Sequence, residues 1–263
     1  MTSDTSWKDS HSYDYTARLS RREWAWEFLR RNPHFCEAWR THQLEYGIVG
    51  YDGGTTMLVS QFETPRLADW GLLYCSAPDQ DARMAVVFWL PDLCSSVLRM
   101  TALPLSARID ATPFLLRDIS CASVLLDIPS RPQNLLFIEE GRGLQLVIEG
   151  EDVMRPVRLL TDGAPDADRA SGQLRALHCF NELRLTGRLC SSSVQRDPLS
   201  PRLRHVLRIL DADLAGASRD EIGEVLVAEG HVVNGGRALR DYIRRALRRG
   251  QELMRKSYRN LLA

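Results

Sequence analysis

The chain has 263 residues and no net formal charge, with 44% of its residues hydrophobic and 26% charged. This composition is typical of globular proteins and excludes a disordered or fibrous chain, and no apolar run of 18 residues is present to span a membrane. We expect a cytoplasmic protein, because residues 1–14 are polar and do not resemble a secretory signal.

Residues 7–46 are rich in aromatic side chains and contain signals for two short helices. A capping box at residues 20–23 predicts a helix over 21–32, and Pro33 can open a second helix that ends near Gly47. Such a hairpin is too small to bury its aromatic residues alone, so they pack either in a core shared with the following domain or against a partner. The candidate partner-binding residues are Trp24, Trp26, Phe28 and Trp39.

Residues 50–65 are polar and glycine-rich, which predicts a linker, and residues 66–165 favour β-strands. Glycines within 139–143 can adopt the positive φ of a tight turn and predict a hairpin between two strands. Together these runs predict a small, mainly antiparallel sheet. The predicted strands cover residues 84–90, 96–103, 134–139, 144–149 and 156–160.

After residue 165 the apolar residues recur with helical periodicity to the end of the chain. Four amphipathic helices in succession predict one compact domain. They cover residues 173–185, 202–214, the segment after a second capping box at 218–221, and 237 to at least 249. The sequence therefore predicts an α+β protein with an N-terminal helical hairpin, a β-rich region and a C-terminal helical bundle. The predicted divisions are 1–65, 66–165 and 166–263.

Basic residues are concentrated near the end of the chain, where residues 237–259 contain nine bases and two acids, a net charge of +7. At 100° per residue, the fourth helix places Leu239, Ile243 and Leu247 on one face and a band of arginines on the other. Guanidinium groups in such a band can make paired hydrogen bonds to phosphates and to guanine edges. The candidate DNA-binding residues are Arg237, Arg240, Arg244, Arg245, Arg248 and Arg249.

The order of the last two helices predicts a helix-turn-helix with the fourth helix as its recognition helix. Its turn, residues 229–236, is longer than the usual three or four residues and indicates a variant of the motif. The basic face has three alternative explanations: a solvated surface, an RNA site or a site for an acidic protein. One recognition helix reads only a short site, so we expect a homodimer or a complex with a partner protein.

No sequence motif indicates an enzyme, since the chain has no Walker loop, dinucleotide-binding fingerprint, nucleophile elbow or zinc-protease motif. The six cysteines are scattered, include no Cys-x-x-Cys pair and predict neither disulfides nor a structural metal. We therefore expect no catalytic residues, no metal and no cofactor.

Two parts of the sequence carry a resemblance to a known family. Residues 26–33, Trp-Glu-Phe-Leu-Arg-Arg-Asn-Pro, resemble the proteobacterial transcriptional regulator-like domain, and residues 210–222 with 258–262 resemble the helix-turn-helix-variant domain often fused to it. The resemblance implies a frameshifted excision activator, which controls excision and conjugative transfer of an integrative and conjugative element.

The resemblance therefore implies a DNA-binding transcriptional activator. Its expected partners are double-stranded DNA, an antiactivator protein and RNA polymerase. The alternative is an interaction module, an antiactivator or adaptor, that binds another regulator instead of DNA.

Overall fold

The structure is a computed structural model that describes residues 7–41, 46–50, 55–60, 65–108, 112–128, 131–161, 169–189, 198–230 and 236–263. In these ranges helices come first, a mixed sheet follows and helices end the chain, which confirms the predicted α+β class. No helix in these ranges combines the length and the apolar character needed to cross a membrane.

The N-terminal segment is helical and begins as the sequence predicts. The Glu23 carboxylate accepts a hydrogen bond from the Ser20 backbone N–H at 3.1 Å, which completes the predicted capping box. The first α-helix ends three residues before its predicted end, where the amides of Arg31 and Asn32 bond to carbonyls three residues back instead of four. The elements are a 3-10 helix at Ser10–Arg18, α1 at Arg21–Leu29 and α2 at Pro33–Thr41.

The strands within the described residues form two sheets. They are β1 (Tyr46–Gly50), β2 (Thr55–Ser60), β3 (Leu72–Cys75), β4 (Val87–Trp89), β5 (Leu98–Pro104), β6 (Ala122–Asp127), β7 (Gln133–Glu139), β8 (Arg142–Gly150) and β9 (Val157–Thr161). The larger sheet has the order β1-β2-β6-β7-β8-β5-β9, and β3 pairs with β4 separately. The pairs β2–β6 and β5–β8 are parallel, and the other four pairs of the larger sheet are antiparallel.

The sheet is therefore larger than the small sheet that the sequence predicts, and the predicted linker at 50–65 contains β2. This strand pairs in parallel with β6 from Thr55 opposite Ser123 to Val59 opposite Asp127. A pairing between such distant segments leaves no local turn signal in the sequence, which explains the wrong prediction. The rest of the predicted linker, residues 51–54 and 61–64, lies outside the described residues.

The predicted hairpin between β7 and β8 is confirmed. Glu139 pairs with Arg142, so only Glu140 and Gly141 form the loop. Their φ angles of 50° and 74° both lie in the left-handed region that a two-residue type I′ turn requires.

The four predicted C-terminal helices are present, and they bury their apolar faces in two different clusters. The first of them packs Ala176, Phe180 and Leu183 into the same cluster as Phe137 and Leu146 of the sheet. Its buried face therefore covers the sheet, whereas the other three helices pack in the other cluster. The helices are α3 at Pro65–Ala68, α4 at Ala170–Thr186, α5 at Ser200–Leu214, α6 at Arg219–Ala228, α7 at Arg237–Arg255 and a final 3-10 helix at Ser257–Leu261.

One hydrophobic core joins the two ends of the chain. Trp24 and Phe28 of α1 belong to the same buried cluster as Leu207 of α5, Ile243 of α7 and Tyr258. The predicted segments 1–65 and 166–263 therefore share a core, and the aromatic N-terminal residues supply part of the support on which α7 rests.

Candidate nucleic-acid interface

α7 has an apolar face and a basic face, as its periodicity predicts. Tyr242, which the helical projection also places on the apolar side, is half-buried. The buried residues of the helix are Leu239, Ile243, Ala246, Leu247, Gly250, Leu253 and Met254.

The basic face is exposed and only partly neutralised. The helix contains seven arginines and two acids, a net charge of +5. Arg244 lies 3.0 Å from the Asp241 carboxylate, and Arg248 lies 3.7 Å from that of Glu252. Among the described residues, no acidic side chain lies within ion-pair distance of Arg237 or Arg240. The six arginines predicted to bind DNA are exposed together on this helix: Arg237, Arg240, Arg244, Arg245, Arg248 and Arg249.

The beginning of α7 adds to this positive potential. Gly236 precedes the helix and has no side chain with which to cap the free amides of the first turn. The helix dipole favours phosphate groups at this position. Most of the long turn predicted before α7 lies outside the described residues, because only 229, 230 and 236 are described there.

Two glycines let the neighbouring helices approach α7 closely. A Cβ added to Gly223 of α6 would lie 3.3 Å from Leu239 Cδ2, and one added to Gly250 would lie 3.1 Å from the Cβ of Leu210 on α5. α7 therefore packs on both α5 and α6 through its apolar face and directs the arginines away from them. The exposed basic helix is the last of these three helices, the order that the predicted helix-turn-helix requires.

The end of α6 is held by a buried arginine of α5. The Arg208 guanidinium donates hydrogen bonds to the carbonyl oxygens of Trp7 at 2.6 Å and Lys8 at 2.9 Å. It also donates to Glu229 Oε1 at 2.7 Å. Glu229 directly follows α6, so this contact fixes the point from which the chain turns toward α7.

The N-terminal helices contact the C-terminal helices through polar groups as well as through the core. Arg31 makes two hydrogen bonds to Asp211 of α5, at 2.5 and 2.8 Å, and Tyr13 donates one to the same carboxylate at 2.7 Å. The Asn32 amide donates to the carbonyl oxygen of Met254 on α7 at 3.2 Å. These contacts could not be predicted from the sequence, although Arg31 and Asp211 lie in the two segments that carry the family resemblance.

Most of the residues predicted to bind a partner lie in the core. The exposed fractions of Trp24, Trp26 and Phe28 are 0%, 1% and 0%, so these side chains are not on a surface that a partner could contact. The Trp24 indole donates to Ser200 Oγ at 3.1 Å, and the Trp26 indole to the Gln80 carbonyl at 3.1 Å. Trp39 is half-buried and packs against the edge of the same core.

Possible metal ligands and the buried thiols of Cys75 and Cys121 lie elsewhere in the described part of the chain. Within the described residues, no three His, Cys, Asp or Glu side chains are grouped as they would be to hold a metal ion. Burial raises the pKa of the Cys75 thiol, and burial with the nearby Glu139 raises that of Cys121 to about 11. These two thiols therefore stay protonated and unreactive at neutral pH.

Two regions of the chain match known protein families. Residues 164–263 match a family described as the DNA-binding domain of a T6SS transcription factor, and residues 6–75 match the proteobacterial transcriptional regulator-like domain. No curated protein shows significant similarity to the chain. The first region contains α5, α6, α7 and all six exposed arginines, and the second contains α1 and α2. The matches support a DNA-binding transcriptional regulator.

Proposed function

We propose that the protein regulates transcription by binding double-stranded DNA with the exposed face of α7. The observation that carries this proposal is a helix of net charge +5 whose apolar face is fixed on α5 and α6 inside a region that matches a DNA-binding domain. A helix of this kind fits the major groove, where guanidinium groups reach phosphates and guanine edges. The proposed contacts are Arg237, Arg240, Arg244, Arg245, Arg248 and Arg249.

Two observations favour duplex DNA over the alternatives. Single-stranded RNA is bound by exposed aromatic side chains on which bases stack, whereas Tyr242, the aromatic residue of α7, is half-buried. An interaction module would present its aromatic residues to a partner, whereas Trp24, Trp26 and Phe28 are buried.

We expect each arginine that contacts a phosphate to contribute to the salt dependence of DNA binding. The logarithm of the association constant falls with that of the salt concentration by about 0.9 per neutralised phosphate. Arg244→Ala and Arg248→Ala should therefore each flatten the slope by about 1 and weaken binding. Fluorescence anisotropy with a labelled duplex, selected by the protein from a random pool, measures the slope.

Arg117→Ala is the matched control, because Arg117 is an exposed arginine outside the C-terminal helices, with 75% of its side chain accessible. It should leave the slope unchanged. Equal slopes for the wild-type protein, Arg244→Ala and Arg248→Ala would refute the assignment of α7 as the DNA-contacting helix.

We further propose that the protein is an activator that controls excision and conjugative transfer of a mobile element. The resemblance of residues 26–33 and 210–222 to excision activators supports this role, and it also supports an antiactivator and RNA polymerase as partners. A homodimer on two half-sites would supply the second recognition helix. Deleting the gene and measuring the excised circular junction by quantitative amplification tests the role, and an unchanged junction level would contradict it.

A further inference from the structure

A cleft of about 530 Å³ lies away from the described contacts of α7, between the start of α1, the beginning of β8 and α4. Its volume is in the range of small-molecule sites in proteins. Its walls come from both family-matched regions and from the sheet between them, since Ser20, Leu144 and Leu262 all line it. A molecule in this cleft would contact all three parts of the fold.

The cleft is lined by five arginines. Among the described residues that line it there is no aspartate or glutamate. Glu23 and Glu140 pair with three of its arginines but do not line the cleft, so its wall presents positive charge to a ligand. Its arginines are Arg18, Arg21, Arg22, Arg142 and Arg175.

Two of these arginines are fixed in place before any ligand binds. The Arg22 side chain is 5% exposed, lies 3.2 Å from the Glu23 carboxylate, and donates to the Val87 carbonyl at 2.9 Å. The Arg142 side chain is 12% exposed and lies 3.6 Å from the Glu140 carboxylate. Such groups lose little conformational entropy when they bind an anion.

Two other arginines lie nearer the solvent and can approach a ligand from the rim. Arg18 is 73% exposed and 3.5 Å from Glu140, and Arg175 is exposed on α4. The inner wall contains the buried residues Leu144, Ala176 and Leu262. The cleft therefore combines several guanidinium groups with an apolar wall.

We propose that this cleft, which we call the arginine cleft, binds an organic phosphate of nucleotide size. Several guanidinium groups around one space suit a multiply charged phosphate, with which arginine forms paired hydrogen bonds. The apolar wall and the volume suit an attached ring system, which inorganic phosphate lacks. The proposal is independent of DNA binding, because it uses none of the exposed arginines of α7.

Isothermal titration calorimetry of the full chain with ATP tests the proposal. We expect saturable binding of ATP. Adenosine, which lacks the phosphates, and tripolyphosphate, which lacks the ring system, should each bind at least tenfold more weakly. Arg21→Ala and Arg175→Ala should each weaken ATP binding about tenfold, since each removes charged hydrogen bonds. Arg117→Ala should bind ATP as the wild-type protein does, and a thermal melt of each variant confirms that it is folded.

Several outcomes would overturn the proposal. They are absence of ATP binding at millimolar concentration, wild-type affinity in folded Arg21→Ala and Arg175→Ala, equal affinity for adenosine, and tighter binding of citrate than of ATP. Loss of duplex affinity in Arg21→Ala and Arg175→Ala without any ATP binding would assign the cleft to the nucleic-acid surface instead. Failure of ATP to bind while Arg244→Ala still weakens DNA binding would refute the arginine cleft and leave the proposed function intact.

Discussion

Replacing Glu27 by alanine is expected to lower the free energy of unfolding by about 3 to 5 kcal/mol. The Glu27 side chain is completely buried and lies 2.8 Å from the Arg30 guanidinium and 2.6 Å from that of Arg31. It also accepts a hydrogen bond from the Ala82 backbone N–H at 2.8 Å. Glu27→Ala leaves two buried guanidinium groups without this charge and one amide without its acceptor. Chemical denaturation followed by circular dichroism measures the loss.

Glu37→Ala is the matched control, because Glu37 pairs with Arg40 on the surface with 60% of its side chain exposed. Removing this pair should change the free energy of unfolding by less than about 1 kcal/mol. If Glu27→Ala destabilises the protein no more than Glu37→Ala does, the buried ion-pair network does not stabilise the fold.

Glu27 also makes the free energy of unfolding depend on pH. Burial alone would raise the pKa of Glu27, but the charges of Arg30 and Arg31 hold it at about 2, below its ordinary value of 4.5. The carboxylate therefore contributes its full stabilisation above about pH 4.5, and this contribution is lost as the pH falls toward 2. As the pH falls from about 4.5 toward 2, the free energy of unfolding should therefore decrease less for Glu27→Ala than for the wild-type protein.

Removing residues 1–45 is expected to abolish the cooperative unfolding of the remaining chain. The deletion takes Trp24, Trp26 and Phe28 out of the shared core, each worth roughly 1.5 to 3 kcal/mol of burial. It also removes the hydrogen bonds that Arg31 and Tyr13 donate to the Asp211 carboxylate. These losses together approach the whole stability of a typical domain. Differential scanning calorimetry of the fragment should show no sharp transition.

DNA binding provides a second measurement on the same fragment. Because α7 depends on the shared core, the fragment should also lose specific affinity for the selected duplex, although all six α7 arginines are present. Full-length protein carrying Glu37→Ala serves as the control. A fragment with a sharp melting transition and full DNA affinity would show that the C-terminal helices fold independently.

Local features of the fold could be predicted from the sequence. The capping box at Ser218 forms as expected, with Glu221 accepting from the Ser218 N–H at 2.8 Å. The β7–β8 turn also needs only residues next to each other in the chain. The pairing of β2 with β6 and the packing of α4 on the sheet could not be predicted, because their partners are distant in sequence and no local pattern encodes them.

The candidate site also has features that could be predicted from the sequence and features that could not. The exposed basic face of α7 follows from helical periodicity, since the residues that define it lie within a few turns. The location of the aromatic residues could not be predicted, because apolar side chains pack equally well on a core or on a partner. The burial of Glu27 and Arg31 could not be predicted either, since charged residues are usually expected at the surface.

The contacts between the ends of the chain also determine when during synthesis the protein can fold. Trp24 bonds to Ser200, Arg31 to Asp211 and Asn32 to Met254, across 176, 180 and 222 residues. The aromatic N-terminal segment leaves the ribosome before the C-terminal helices do and lacks these partners until they have been translated. Incomplete chains would expose its tryptophans to chaperones and proteases. The α7 surface would therefore form only after both the N-terminal segment and the C-terminal helices have left the ribosome.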